Sequence, residues 1–178
     1  KRKWRAAGLP TAPWVIAGSD SDPALGHLDP PLVVKPLAEG SSIGVTLCDT
    51  AAELKAAVRQ AVSSFGRAMV EKRLDGPELT VGILGHDPLP VIQVRPAAGW
   101  YDYSAKYERN DTDYLVDPAI DGTTCQAVQQ LAVKAFEVLG CRHLSRVDFI
   151  VDRQTGPQLL EINTLPGFTD HSLLPKAA

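Results

Sequence analysis

The sequence predicts an α+β protein with mixed or antiparallel sheets, and three features lead there. Strand-like and helix-like runs follow one another in mixed order, not in the regular alternation of a doubly wound parallel sheet. Several pairs of strand-like runs are joined by short stretches rich in turn residues, as in antiparallel hairpins. Two longer segments, beginning near Thr50 and Thr124, carry apolar residues at helical spacing.

Residues 1–7 suit a short helix, which Gly8 and Pro10 stop. Thr11–Ile16 reads as a short strand, and Gly18–Pro31, rich in Gly, Ser, Asp and Pro, as a loop with one weak helical turn. Leu32-Val33-Val34-Lys35-Pro36 is an apolar strand with a single cation, Lys35. A lysine at a strand end ordinarily reaches solvent, but this one shortly precedes the loop Glu39-Gly40-Ser41-Ser42-Ile43-Gly44. Glycines and serines let backbone N–H groups converge on an anion. No Gly-Lys-Ser/Thr follows, so it is not a P-loop, and a plain hairpin tip before the returning strand Val45-Thr46-Leu47 is the simpler reading.

Thr50 and Glu53 form a capping box, and Leu54, Val58, Ala61, Val62 and Phe65 then give an inward helical stripe that Gly66 ends. Met69–Leu74 reads as a strand and Asp75-Gly76-Pro77 as a turn. Glu78–Leu84 and Leu89–Val94 form a hairpin about Gly85-His86-Asp87-Pro88. From Pro96 to Ile120 the periodicity fails; a long loop with Tyr101, Tyr103, Lys106 and Tyr107 has the make-up of a functional lid or of an Ω-loop pinned by its aromatics. A helix follows from about Thr124 to Leu139, with Val128, Leu131, Ala132, Ala135 and Phe136 inward and Gly140 as cap.

The last hairpin carries the chemistry. In Arg146–Val151, Val147, Phe149 and Val151 share one face, and Arg146 and Asp148 the other; in Leu159–Asn163, Leu160 and Ile162 oppose Glu161 and Asn163. The turn-rich stretch Asp152–Pro157 joins the two runs, which brings Asp148, Glu161 and Asn163 to one face with Arg146 nearby. A solvated polar face is the simple explanation of either strand alone; both strands together favour a cation site. Oxygen donors without His or Cys suit Mg²⁺ or Mn²⁺. Residues two apart on a strand lie about 6–7 Å apart on one face, so Glu161 can bridge two ions while Asp148 and Asn163 each complete one. Two ions roughly 4 Å apart clamp nucleotide phosphates in phosphoryl transfer.

Composition excludes other classes. With 44% hydrophobic and 22% charged residues the chain is an ordinary globular protein, and a net charge of −3 argues against a nucleic-acid binder with a broad basic surface. No apolar run approaches a membrane span and no signal-peptide pattern opens the chain. Cys48, Cys125 and Cys141 are odd in number and lack metal-ligand spacing, which fits reduced thiols in a cytoplasmic protein. The chain has no initiating Met and starts as the middle of a helix, so it is expected to be part of a longer protein.

Taken in order, Val33–Pro36, Glu39–Gly44, Tyr101–Tyr107, Arg146–Asp148 and Glu161-Ile162-Asn163-Thr164-Leu165-Pro166-Gly167-Phe168-Thr169 resemble the D-alanine–D-alanine ligases, ATP-grasp enzymes of peptidoglycan precursor synthesis. Each motif is weak alone; their ordered set, running over nearly the whole chain, is specific. The resemblance implies two α+β lobes gripping ATP between them, a central lobe at 1–78 with the 39–44 phosphate loop and a carboxy-terminal lobe at 79–178 with the lid loop 96–120 and the metal hairpin 146–163. It implies ATP contacts from Lys35, Glu39, Gly40, Ser42, Glu71, Lys72, Leu74, Glu78 and Lys106, a lid with Tyr101 and Tyr107, and two Mg²⁺ (or Mn²⁺) on Asp148, Glu161 and Asn163. Ser41, Arg146, Gly167 and Ser172 match active-site positions, with Arg146 and the Gly167 N–H at an oxyanion and Ser172 at the second D-alanine's carboxylate.

The implied reaction phosphorylates the carboxylate of one D-alanine from ATP, and the amine of a second D-alanine then displaces phosphate. Lys106-Tyr107 favours D-alanine over D-lactate as second substrate. Two D-alanines and ATP are the implied partners, without nucleic acid or membrane, in a cytoplasmic enzyme that is a homodimer at full length. By the resemblance, the family's amino-terminal domain and closing helix are expected to lie outside this stretch of sequence, and Asp170 stands where a small residue is common. Another ATP-grasp carboxylate–amine ligase, a fragment that binds Mg-ATP without turnover, and a purely structural domain are the alternatives.

Overall fold

The computed structural model describes residues 1–96, 112–116, 118–169 and 172–178. The chain forms two compact units, one of Ala12–Arg73 and a larger one that joins Lys1–Thr11 to residues 74–96 and the described residues from 112 on. These divisions differ from 1–78 and 79–178 in two places. The first eleven residues pack with the later unit, because Trp4 of helix α1 (Arg2–Ala6) is buried in its core and its indole N–H donates to Ala135 O at 3.3 Å. The later unit also begins at Leu74, ahead of its first strand.

In the Ala12–Arg73 unit, β1 (Trp14–Ala17), β2 (Leu32–Pro36), β3 (Thr46–Cys48) and β4 (Ala68–Lys72) make an antiparallel sheet in the order β1-β4-β2-β3. A 3-10 turn at Pro23–His27 supplies the weak helical turn expected in the 18–31 loop. Helix α2 (Ala51–Phe65) starts at the capping box: the Thr50 hydroxyl accepts from Glu53 N, and the Glu53 carboxylate accepts from Thr50 N. Its face of Leu54, Val58 and Ala61 buries Leu32, Val34 and Val70 of the sheet. Full burial of each such side chain contributes about 1.5–3 kcal/mol. Strand alternation sends Val33, Lys35, Met69 and Glu71 to the opposite face. Phe65, expected inward, is 40% exposed; at the last helical position its ring covers Gly44 instead, where an added Cβ would lie 2.9 Å from the ring.

In the larger unit, β5 (Glu78–Leu84), β6 (Asp87–Pro96), β7 (Thr112–Val116), β8 (Leu144–Asp152) and β9 (Gly156–Asn163) are antiparallel in the order β7-β6-β5-β8-β9. The fold is α+β, as the mixed element order predicted. Helix α3 (Gly122–Leu139) is capped by Asp121 and ended by a left-handed Gly140, and its Val128, Ala132 and Phe136 pack on Leu79, Val81, Val147, Phe149 and Leu159. The other sheet face carries Thr80, Gly82, Arg146, Asp148, Glu161 and Asn163. Helix α4 (Leu173–Ala177) lies over part of that face: a Cβ at Gly82 would sit 2.5 Å from Leu174 Cδ1 and 2.8 Å from Leu89 Cδ1, so a side chain there would make both leucines shift.

Two expectations change here. The loop assigned to 96–120 contains β7, an edge strand that pairs Ile92–Pro96 with Thr112–Val116 through backbone bonds, which its polar residues do not prevent. Leu160 does not share the inward face with Ile162. A bulge between Asp148 and Phe149 shifts the register, so that Leu159 meets Phe149 and is fully buried while Ile162 meets Val147.

Candidate functional site

The register of the larger sheet gathers the oxygen donors. Asp148 on β8 lies opposite Glu161 on β9 and opposite Thr80 on β5; one step along, Arg146 lies opposite Asn163 and Gly82. Asp148 is only 7% exposed, Glu161 is exposed and Asn163 is half-buried. Arg146 grips Asp148 with two bonds, Nε to Oδ1 and Nη2 to Oδ2, each 2.8 Å. The Asn163 amide donates to Asp148 Oδ2 at 3.0 Å and reaches Glu161 Oε1 at 3.4 Å. Thr80 Oγ1 donates to Asp148 Oδ1 at 2.6 Å.

Asp148, Glu161 and Asn163 are therefore together, as the alternation predicted. Among the described residues there is no group of three or more His, Cys, Asp and Glu, so a cation here would use two carboxylates and an amide. That donor set fits Mg²⁺ or Mn²⁺. A half-turn of the Asn163 amide would exchange its NH₂ for its oxygen on the side of the carboxylates. Thr80 escaped the sequence reading. Its alternation with Leu79 and Val81 placed it on the polar face, but only the β5–β8 register shows that this face meets Asp148.

The Ala12–Arg73 unit holds a second polar group. Lys35 Nζ meets Glu71 Oε1 at 2.5 Å, diagonally across β2 and β4, with Glu71 4% exposed. Both residues are among the ATP contacts that the resemblance implies, and the fold joins them in one ion pair. The Lys72 ammonium donates to Asp29 O at 3.0 Å, and backbone N–H groups of Lys72 and Arg73 donate to Pro13 O and Pro31 O. The N–H of Asp75 donates to the Asp152 carboxylate. Glu78 opens β5 opposite Val94 and Ile150.

In the 39–44 loop, Ser41 and Ser42 take left-handed φ values of 55° and 60°, and Gly44 one of 70°. Such conformations cost a non-glycine residue about 1–2 kcal/mol each and are concentrated at functional loops. The turn closes by Ile43 N–H to Gly40 O and Val45 N–H to Ser42 O; Glu39 and Gly40 are exposed. Gly167 and Ser172 also come together: an added Cβ at Gly167 would lie 2.6 Å from Ser172 Oγ, which accepts from Thr169 N–H at 3.0 Å. Tyr101, Lys106, Tyr107 and Asp170 lie outside the described residues.

A two-unit antiparallel α+β fold with an oxygen-donor cluster on one sheet belongs to the ATP-grasp class, as its structural neighbours show. Within that class, the chain belongs to the family described as D-ala D-ala ligase C-terminus, whose model matches residues 4–178. The D-alanine--D-alanine ligase of Dechloromonas aromatica (strain RCB) is 44% identical over 180 residues, 100% of this chain and 60% of that protein. The crystal structure of the Bacillus anthracis D-alanine--D-alanine ligase superposes with a TM-score of 0.85 at 33% identity, covering 99% of this chain and 58% of that one. A structure of that ligase complexed with ATP gives 0.83 at 28%, covering 99% and 56%. The VanG D-Ala:D-Ser ligase of Enterococcus faecalis gives 0.85 at 29%, covering 99% and 54%. The chain thus spans 57–60% of the length of the first curated relatives it matches.

Proposed function

We propose that the chain is the nucleotide- and cation-binding part of an ATP-dependent ligase that joins two D-alanines for peptidoglycan precursors. The face that pairs Asp148 with Glu161 and Asn163 beside Arg146 carries this reading, in a chain 44% identical to such a ligase. Bound Mg²⁺ or Mn²⁺ would offset charge on the phosphates during transfer. Asp148, Glu161 and Asn163 would hold it. Lys35 and Lys106 add positive charge toward the phosphates, and Glu39, Gly40 and Ser42 contribute the loop's donors. Glu71, Lys72 and Leu74 line the adenine edge, beside the N–H groups of 72, 73 and 75, which are engaged within the protein. Glu78 takes the ribose.

Once the first carboxylate is phosphorylated, the amine of the second D-alanine attacks its carbonyl carbon and phosphate departs. Arg146 and the Gly167 N–H face the oxyanion that develops there. Ser172, seated against Gly167, receives the second carboxylate. Ser41, with Tyr101 and Tyr107 of the lid, excludes water from the acyl phosphate. ATP chemistry and the resemblance support a cytoplasmic protein that is a homodimer when intact and has no nucleic-acid or membrane partners; no helix among the described residues is long and apolar enough to cross a membrane.

Calorimetry of Mg-ATP binding, with Glu161→Gln in parallel, is the test. Binding is expected for wild type and a loss of at least tenfold for the variant, as for other ligand-sphere changes. Equal binding by both would sink the site. Formation of D-alanyl-D-alanine by the intact protein, with D-serine offered in competition, then tests the reaction and its second substrate.

A further inference from the structure

Asp148 is held by a residue that is not among the candidate ligands. Thr80 is 3% exposed in the middle of β5 and lies directly across from Asp148 in the sheet register. Its hydroxyl is 2.6 Å from Asp148 Oδ1 and 3.3 Å from Val147 O. A hydroxyl has one proton to give, and the shorter contact, to an ionised acceptor, takes it. Arg146 Nε reaches the same Oδ1 and its Nη2 reaches Oδ2, each at 2.8 Å. Oδ2 is the oxygen on the side of Asn163, whose amide in turn reaches Glu161.

The torsion that turns a carboxylate about its Cβ–Cγ bond is broad and only weakly restrained by itself. Thr80 restrains it here from the opposite strand, together with Arg146. As a β-branched residue in a central strand it has a restricted χ1, so its hydroxyl is a fixed point on the sheet. We propose that Thr80 is a positioning residue of the divalent-cation site, holding Oδ1 so that Asp148 presents Oδ2 to the ion. This rests on Asp148 and Glu161 being cation ligands. Thr80 itself touches no ion; it sets the direction from which the nearly buried carboxylate coordinates.

The test is titration of the intact protein with Mn²⁺ in the presence of ADP, the free ion being read by its electron paramagnetic resonance signal. Thr80→Val keeps the shape and the β-branch but removes the donor. Outer partners of metal ligands are worth about 10–100-fold in metal affinity, so Thr80→Val is expected to weaken Mn²⁺ binding at least tenfold with little change in melting temperature. Thr80→Ser, which restores the hydroxyl, is expected to stay with wild type, and Thr80→Ala with the valine variant should the latter fold poorly. Wild-type affinity in Thr80→Val overturns the proposal, as does a Thr80→Ser variant as weak as Thr80→Val. An Asp148→Asn control separates the two levels. If it loses Mn²⁺ while Thr80→Val keeps it, only the role of Thr80 falls. If it binds like wild type, the cation site falls and the role of Thr80 with it.

Discussion

Lys35 and Glu71 show what a single pair of residues can decide. Glu71 is an almost fully buried carboxylate, and the lysine beside it has a side chain 24% exposed. Burying a charge is costly unless an opposite charge and hydrogen bonds accompany it. Lys35→Met removes that cation and should cost about 3 kcal/mol, the low end for a broken buried pair because water still reaches the ammonium. Urea unfolding would measure it, and an unchanged midpoint would mean that Glu71 is sustained by its other contacts. The lysine was legible in the sequence as a lone cation in an apolar strand; its partner was not, since the pairing depends on β4 lying beside β2. The same contrast holds at the cation site. Asp148, Glu161 and Asn163 follow from alternation in two neighbouring runs, whereas Thr80 belongs to a strand far off in the chain.

At the scale of elements, local chemistry carried most of the information. Both long helices begin and end where caps and glycines put them, and the final hairpin turns where Asp152–Thr155 allows. That turn has its own pH signature. The Asp152 carboxylate is drawn from 3.8 down to about 2, first by the N–H of Asp75 and then by the Thr155 hydroxyl and the N–H groups of Thr155 and Gln154. A depressed carboxyl stabilises the fold above its unfolded value, and that contribution is lost as pH falls through the folded one. Melting temperature should therefore drop between about pH 4 and pH 2, with a shallower drop in Asp152→Asn; equal slopes would show that the turn does not couple to folding. What local chemistry could not show were β7, which joins the sheet by backbone pairing with β6, and the bulge at Asp148. A bulge changes the period from two to three for one residue, and no side chain in Leu159-Leu160-Glu161 announces it.

Across the molecule, the resemblance implied units at 1–78 and 79–178, whereas the compact units divide after Thr11 and after Arg73. Trp4 settles the matter for the amino-terminal segment, through burial and one indole hydrogen bond. Trp4→Ala should cost about 3–5 kcal/mol, read as faster amide exchange in β5, β8 and β9. Exchange in β2 and β4 should hold steady; a rise there as large as in β5 would count against this division of the chain. The same segment bears on how the protein is made. Trp4 bonds to a residue 131 positions later, and Thr11 to one 148 later. At about 5–20 residues per second on the ribosome, the first eleven residues emerge and then wait roughly seven to thirty seconds for the partners that bury them. The four strands and the helix of the Ala12–Arg73 sheet come from one continuous stretch of chain, so they can close during that wait, while an exposed tryptophan is left within reach of a chaperone.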